Sequence, residues 1–284
     1  MNRFLSSRHS IKGVKWILQG LPLDMTVTRL HGTSSAPGII RDESRGLETF
    51  SFLQEQDLDD VPFFDIGDLV LVPGDLEKSL KVIGSVSAGF FRKGFRIASL
   101  GGEHLASLPV IRAASTIFPE LVVIHIDAHA DLRDSYHGMK ENHATVMRRV
   151  AEECLSSPSL LYQFGIRSGT RDEYRWGMEN TSFSPFDLTG PLERAAGEIG
   201  TRPVYLSIDI DAIDPGEAPG TGTPEPCGLS SRELFKALPL MKDLDLIGFD
   251  IVEVSPPNDV NNITSVLAAK IARECLIMWG GACR

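Results

Sequence analysis

The sequence predicts an α/β fold: a mostly parallel sheet with helices on both faces. Three observations predict it. Short apolar runs rich in Val, Ile, Leu and Phe alternate with amphipathic stretches of helical period. The runs read as buried on both sides, which is the signature of a parallel sheet covered by crossover helices. Polar clusters also fall at the C-terminal ends of several runs, the edge at which parallel sheets bind ligands.

Each element has its own reason. Residues 14–19 are an apolar run read as the first strand, and 61–66 is a weaker strand. The amphipathic stretch 76–92 predicts a helix. Strand 96–100 runs into Gly101-Gly102, and 104–115 has helical period again. Strand 121–127 precedes helix 143–156, and strand 160–166 precedes helix 192–199. Strand 204–209 leads into the Pro/Gly-rich segment 215–228, a long shaped loop of the kind that usually serves function. Ser230 or Ser231 followed by Glu233 marks the start of helix 231–242. Strand 246–254 and helix 263–279 complete the chain. No repeat, low-complexity tract or linker divides it, so one domain over 1–284 is expected.

Composition narrows the function classes. Of the residues, 42% are hydrophobic and 23% charged, which excludes a disordered or fibrous chain. A net charge of −10 argues against non-specific binding to nucleic acid or anionic membrane. No apolar run approaches the roughly 18–20 residues that span a bilayer. Residues 1–23 carry Arg3, Arg8, Lys12 and Lys15 and no acid, but a strand starting near residue 14 leaves too short a leader for a transit peptide. Cys154, Cys227, Cys275 and Cys283 form no CxxC pair, so a reduced, cytoplasmic protein is expected. Histidine is the odd count: five of seven (His104, His125, His129, His137, His143) lie within 40 residues.

Four clusters at strand ends carry the chemistry: His104, Asp127-Ala128-His129-Ala130-Asp131, Asp209-Ile210-Asp211 and Glu253. In extended backbone, residues i, i+2 and i+4 point to one side, so Asp127, His129 and Asp131 can converge, as can Asp209 and Asp211. Crowded carboxylates need cations, and six N/O donors are too many for one four-coordinate zinc. Two imidazoles with four carboxylates suit two divalent ions of higher coordination. The hard donor set favours Mn²⁺ over Fe²⁺ or Co²⁺. Two such ions sharing carboxylates would activate a bridging water near neutral pH.

These segments resemble the ureohydrolases, the arginase/agmatinase family. The motifs are Gly101-Gly102-Glu103-His104, Asp127-Ala128-His129-Ala130-Asp131, Ser207-Ile208-Asp209-Ile210-Asp211-Ala212-Ile213-Asp214-Pro215 and Asp250-Ile251-Val252-Glu253-Val254, in the family's order. The resemblance implies a three-layer α/β/α sandwich and a pair of Mn²⁺ ions that hydrolyse a guanidino group to urea and an amine. It implies that His104 holds one ion and His129 the other, with Asp127 and Asp209 bridging. Asp131 would complete the first shell and Asp211 the second. By the same resemblance, Glu253 pairs with the guanidinium, Asp131 passes on a proton, and His143 shuttles protons and contacts substrate. A cytoplasmic homo-oligomer, trimeric or hexameric, is implied as well. Departures are Glu103 where the family often has Asp, Leu105 for Ser, Asn142-His143-Ala144 for His-Gly, and Arg29-Leu30-His31-Gly32-Thr33 for an Arg-Pro-Gly entrance loop.

The substrate is read from neighbouring residues. Arginases place Asn where this chain has Arg133. The segments 131–136, 142–149, 165–171 and 221–226 resemble prokaryotic agmatinases instead. A small cationic substrate such as agmatine suits an acidic rim, for which Asp134 and Glu225 are candidates. A carboxylate-bearing substrate, such as 4-guanidinobutyrate, 3-guanidinopropionate or arginine, would use Arg133 or Arg171, unless Arg133 pairs with Asp134 and faces away. His125 reads as a satisfied core residue, His137 as solvent-facing, Cys227 as inert at a position often Gly in the family, and Asp214-Pro215 as a turn. A deacetylase-type hydrolase would show a His-His pair, and this chain has none. A non-catalytic metal-binding relative should have lost ligands or Glu253, and all are present.

Overall fold

A computed structural model describes residues 3–281; Cys283 lies outside them. The strands are β1 (Trp16–Leu21), β2 (Phe50–Ser51), β3 (Gln56–Asp57), β4 (Phe63–Asp68), β5 (Arg96–Gly101), β6 (Val122–Ile126), β7 (Leu161–Ile166), β8 (Ser182–Pro185), β9 (Pro203–Asp209) and β10 (Asp245–Val252). The helices are α1 (Ala36–Ser44), α2 (Leu76–Phe91), α3 (Ser107–Ser115), α4 (Val146–Arg149), α5 (Arg171–Asn180), α6 (Thr189–Ile199), α7 (Ser231–Ala237) and α8 (Ile263–Gly280). Eight strands form one sheet in the order β4-β1-β5-β10-β9-β6-β7-β8, every pair parallel, and β2–β3 is a small antiparallel hairpin. The expected α/β sandwich is therefore present.

The core divides by side-chain parity. Val122, Ile124 and Ile126 of β6 face one apolar cluster, with Leu206 and Ile208 of β9 and residues of α1, α6, α7 and α8. Val123 of β6 and Tyr205 of β9 face the other, with α2, α3 and α4. The centre of the sheet is sealed on both sides, so its strand ends are where polar chemistry can reach solvent.

Several elements depart from the sequence reading. The edge strand β8, the β2–β3 hairpin and helices α1 and α5 were not expected from periodicity. Helix α5 is polar outside, and its start is a capping box in which Thr170 and Glu173 bond reciprocally. Helix α1 is short, and its Arg41 is buried against Asp65 through Nε–Oδ2 at 2.7 Å and Nη2–Oδ1 at 3.0 Å. The expected helix 143–156 is broken into a 3₁₀ turn (His143–Thr145), α4 and a π turn (Val150–Cys154). Asn142 caps it, accepting from Ala144 N at 3.0 Å. Ser230 caps α7 in a capping box with Glu233, as the sequence signals.

Candidate metal centre and active site

The clustered residues sit on loops leaving β5, β6, β9 and β10, adjacent in the middle of the sheet. The pleat alone does not bring them together. Strand β6 stops at Ile126, and Asp131 adopts φ +55°. In a non-glycine residue that left-handed conformation costs about 1–2 kcal/mol, so the surrounding structure has to hold it. Asp209 ends β9, and Asp211 lies in a 3₁₀ turn whose N–H donates to Asp209 Oδ1 at 2.8 Å. Convergence is thus made by tight turns just past the strands, which correct the extended-pleat expectation. Glu253, immediately beyond β10, is also left-handed at φ +62°.

Two donor groups result. His104 Nδ1 lies 3.2 Å from Asp127 Oδ2, 3.2 Å from Asp131 Oδ2 and 3.3 Å from Asp209 Oδ2. His129 Nδ1 lies 2.9 Å from Asp211 Oδ2 and 3.8 Å from Asp127 Oδ1. Asp127 belongs to both groups and presents one oxygen to each, which is the geometry a bridging carboxylate needs. His104 Nδ1 is buried and has no hydrogen-bond partner. A buried ring nitrogen aimed at three carboxylates without a hydrogen bond is what a metal ligand offers.

The electrostatics agree. Burial and neighbouring acids raise Asp209 well above the carboxylate range and raise Asp131 and Asp211 too, though the histidines oppose this. Burial would lift Asp127 as well, but His125 and His104 hold it well below. Burial works against protonated imidazoles, yet the carboxylates raise His104 well above its ordinary value and His129 to about 11. The acids and imidazoles therefore perturb one another strongly, and divalent cations would relieve the crowding of the carboxylates. The residues fit a pair of such ions.

Beneath the site runs a polar row. Gln19, Ser99, Asp250, Ser207, His125 and Gln163 lie side by side in register across β1, β5, β10, β9, β6 and β7. Ser207 Oγ donates to Asp250 Oδ1 at 2.6 Å and meets His104 Nε2 at 3.0 Å. Tyr205 Oη donates to Asp250 Oδ2 at 2.8 Å. His125 Nε2 contacts Asp127 Oδ2 at 2.7 Å, while its Nδ1 meets Gln163 Nε2 at 3.0 Å. Such contacts fix the orientation of residues above them. His125 is a satisfied core residue as expected, but it is no bystander: it braces Asp127. The i, i+2 parity already contained that contact.

A cavity of about 360 Å³ opens over these residues, lined by His104, His129, Asp131, His143, Asp209, Asp211 and Glu253. Asp127 is fully buried under its floor. Glu253 Oε1 accepts from His104 N at 2.6 Å, and burial raises its carboxyl to about 8 against that bond. Burial lowers His143 to about 4 against a hydrogen bond to the Thr26 backbone, with His104, His129 and Arg133 also pushing down, so its imidazole is neutral at physiological pH. Glu103, fully buried, accepts from Met25 N, Thr26 N and Thr26 Oγ1 and clamps the entrance loop. Asp24 closes that loop by accepting from Gly32 N at 2.8 Å. Sequence patterns did not single out Thr26 or Asp24.

The wall residues separate the earlier options. Arg133 lines the cavity, with Nε 3.5 Å from Glu173 Oε2 and its guanidinium over the Tyr136 ring. It does not pair with Asp134, which is exposed and bonds Arg149 at 3.0 Å. Glu225 lines the wall, whereas Arg171 is exposed at the start of α5 and does not. His137 is exposed and its ring packs tilted against Tyr136. Cys227 is exposed at φ +63°, which explains why glycine suits that position. Asp214 accepts from Gly216 N and Gly228 N, shaping the loop as a turn residue. Among the described residues, no helix is long and apolar enough to cross a membrane.

The model of the Arginase family matches residues 14–278. An agmatinase of Bacillus anthracis is 38% identical over 279 residues, covering 97% of this chain and 96% of that protein. An agmatinase of Bacillus subtilis is 40% identical over 277 residues, with 96% and 95% covered. Among solved structures, the agmatine ureohydrolase of Thermoplasma volcanium superposes with a TM-score of 0.88 at 32% identity, covering 98% of this chain and 94% of that one.

Proposed function

The chain belongs to the arginase family of hydrolases, and we propose that it is a binuclear manganese amidinohydrolase converting agmatine to putrescine and urea. The carrying observation is the pair of donor groups that share Asp127 beneath a cavity with Glu253 on its wall. His104, Asp127, Asp131 and Asp209 would hold one ion, and His129, Asp211, Asp127 and Asp209 the other. When bound, the ions supply Lewis acidity and a nucleophile near neutral pH.

The chain's own residues do the rest. Glu253, raised to about 8 in the free site, gives up its proton when the guanidinium cation enters, pairs with it at two points and sets its carbon over the donor groups. Asp131 passes the proton of the attacking water towards the departing amine. His143, neutral and on the cavity wall, carries a proton between the site and the mouth. Loss of the amine requires that protonation.

The wall supports a cationic tail. Arg133 is engaged by Glu173 and Tyr136, and Glu225 is the acid open to the far amine, with the Arg29 guanidinium on the same wall bonded to Gly222 O at 3.4 Å. With this reading go one catalytic domain over 1–284, two Mn²⁺ per subunit, a cytoplasmic location and a homotrimer or homohexamer. The test is urea release from agmatine, arginine, 4-guanidinobutyrate and 3-guanidinopropionate after Mn²⁺ loading. Turnover of agmatine above the others is expected. Urea from none of them overturns the function, and preference for a carboxylate-bearing compound overturns the substrate.

A further inference from the structure

We propose that Glu103, acting through Thr26, fixes the tautomer of His143, so that Nδ1 carries the hydrogen and Nε2 keeps the lone pair. The inference rests on the reading of His143 as a proton carrier. It follows from counting hydrogen-bond capacity at one oxygen.

Thr26 Oγ1 has three polar contacts: Glu103 Oε2 at 2.9 Å, His143 N at 3.1 Å and His143 Nδ1 at 3.3 Å. A hydroxyl can donate once and accept twice. The His143 backbone N–H can only donate, so it takes one lone pair. The Glu103 carboxylate already faces the backbone N–H groups of Met25 at 3.1 Å and Thr26 at 2.8 Å, so it stands as an acceptor. The hydroxyl hydrogen therefore points to Glu103. One lone pair remains on Oγ1, and Nδ1 can satisfy it only by donating. Glu103 and Thr26 are 0% and 5% exposed, so water does not compete for these directions. The ring is held by its backbone N–H and by Nδ1, both on the same oxygen, and Nε2 is the nitrogen left to exchange protons. Thr26 is thus a positioning residue, and the Glu at 103 matters because its oxygen reaches the 25–26 backbone and hydroxyl together.

The test uses the full-length protein labelled with ¹⁵N-histidine and loaded with Zn²⁺, a diamagnetic divalent ion. Solid-state ¹⁵N spectra would report the protonated nitrogen of His143, assigned by the loss of its signals in His143→Asn. Wild type should show Nδ1–H. Thr26→Val removes the hydroxyl and should admit the Nε2–H form. Glu103→Ala removes the acceptor of the Thr26 hydroxyl, frees that hydrogen to turn to Nδ1 and should admit the Nε2–H form of His143 even if Thr26→Val fails to fold. With Mn²⁺ and agmatine, Thr26→Val should lower kcat about 10–100-fold, part of the usual general acid–base contribution, with KM changed less than about twofold. Thr26→Ser should restore kcat to within about threefold. Wild-type Nε2–H, or an unchanged tautomer in both Thr26→Val and Glu103→Ala, overturns the inference. Absence of urea from any guanidino compound overturns the function instead, because the spectra do not depend on turnover.

Discussion

Replacing Glu253 by Gln isolates the contact proposed to bind the guanidinium in this cavity. The substitution keeps side-chain length, and the Gln oxygen can still accept from His104 N, now bonded to Glu253 Oε1 at 2.6 Å. Glu253 belongs to neither donor group, so metal content should not change. What is lost is the charge facing the guanidinium. Two hydrogen bonds to charged groups at about 1.5–3 kcal/mol each amount to about 3–6 kcal/mol. At about 1.36 kcal/mol per decade, kcat/KM for agmatine should fall roughly 10²–10⁴-fold. The assay is urea release across a range of agmatine concentrations, with metal content measured by plasma mass spectrometry on the same samples. A kcat/KM within about threefold of wild type at full metal content would refute the role. Activity lost in proportion to lost metal would refute it as well, because Glu253 would then be supporting the ions.

Asp209→Asn should abolish urea release and lower metal content, since Asp209 Oδ2 faces His104 Nδ1 and Oδ1 holds the Asp211 turn; plasma mass spectrometry and the Mn²⁺-dependent rise in Tm check this. Asp65→Asn should cost about 3–5 kcal/mol in denaturant unfolding, because it leaves the buried Arg41 guanidinium short of its main partner, while kcat per folded molecule is retained. Cys227→Gly should raise stability by up to about 1 kcal/mol by relieving φ +63°, seen as a Tm increase of about 2–4 °C without loss of kcat. His143 is held neutral to about pH 4, below its unfolded value. Its burial therefore stabilises fully above about pH 6.5, and that contribution is lost as pH falls towards 4. His143→Asn should flatten this part of the Tm–pH curve, and an unchanged slope would remove the assignment.

The central strands were legible because each is an unbroken apolar run with Gly or polar residues at its ends, and DxHxD and DxD mark where two of them stop. What patterns of period 2 or 3.6 cannot encode is the turn geometry. The left-handed Asp131 and Glu253 are set by packing around the loops, not by their own propensities. Helix α5 escaped notice because its apolar face is small, although Thr170-x-x-Glu173 spelled its start. Asn142 and Thr145 similarly start the turn in which His143 sits. Thr26 lies 117 residues from His143, and nothing local distinguishes it from any other loop threonine. His125 was legible as a core residue; its contact with Asp127 needed only the same two-residue parity.

The polar row across the sheet also bears on how the chain finds its fold. Strands of β-branched and aliphatic residues resemble one another, and a parallel sheet offers few hairpin turns to align them. Six strands here each carry one polar residue at the same level: Gln19, Ser99, Asp250, Ser207, His125 and Gln163. A slip of one residue in any of them turns that polar group onto the opposite face, among the apolar side chains packed there, and strips it of its partners. A slip of two keeps the face but moves the group off its level, away from its neighbours. The row therefore works as an alignment mark, recognised only when all six strands are in step. One register then serves both the sheet and the proposed site, since the strand positions that satisfy the row also deliver His104, Asp127, Asp209 and Glu253 to a common edge.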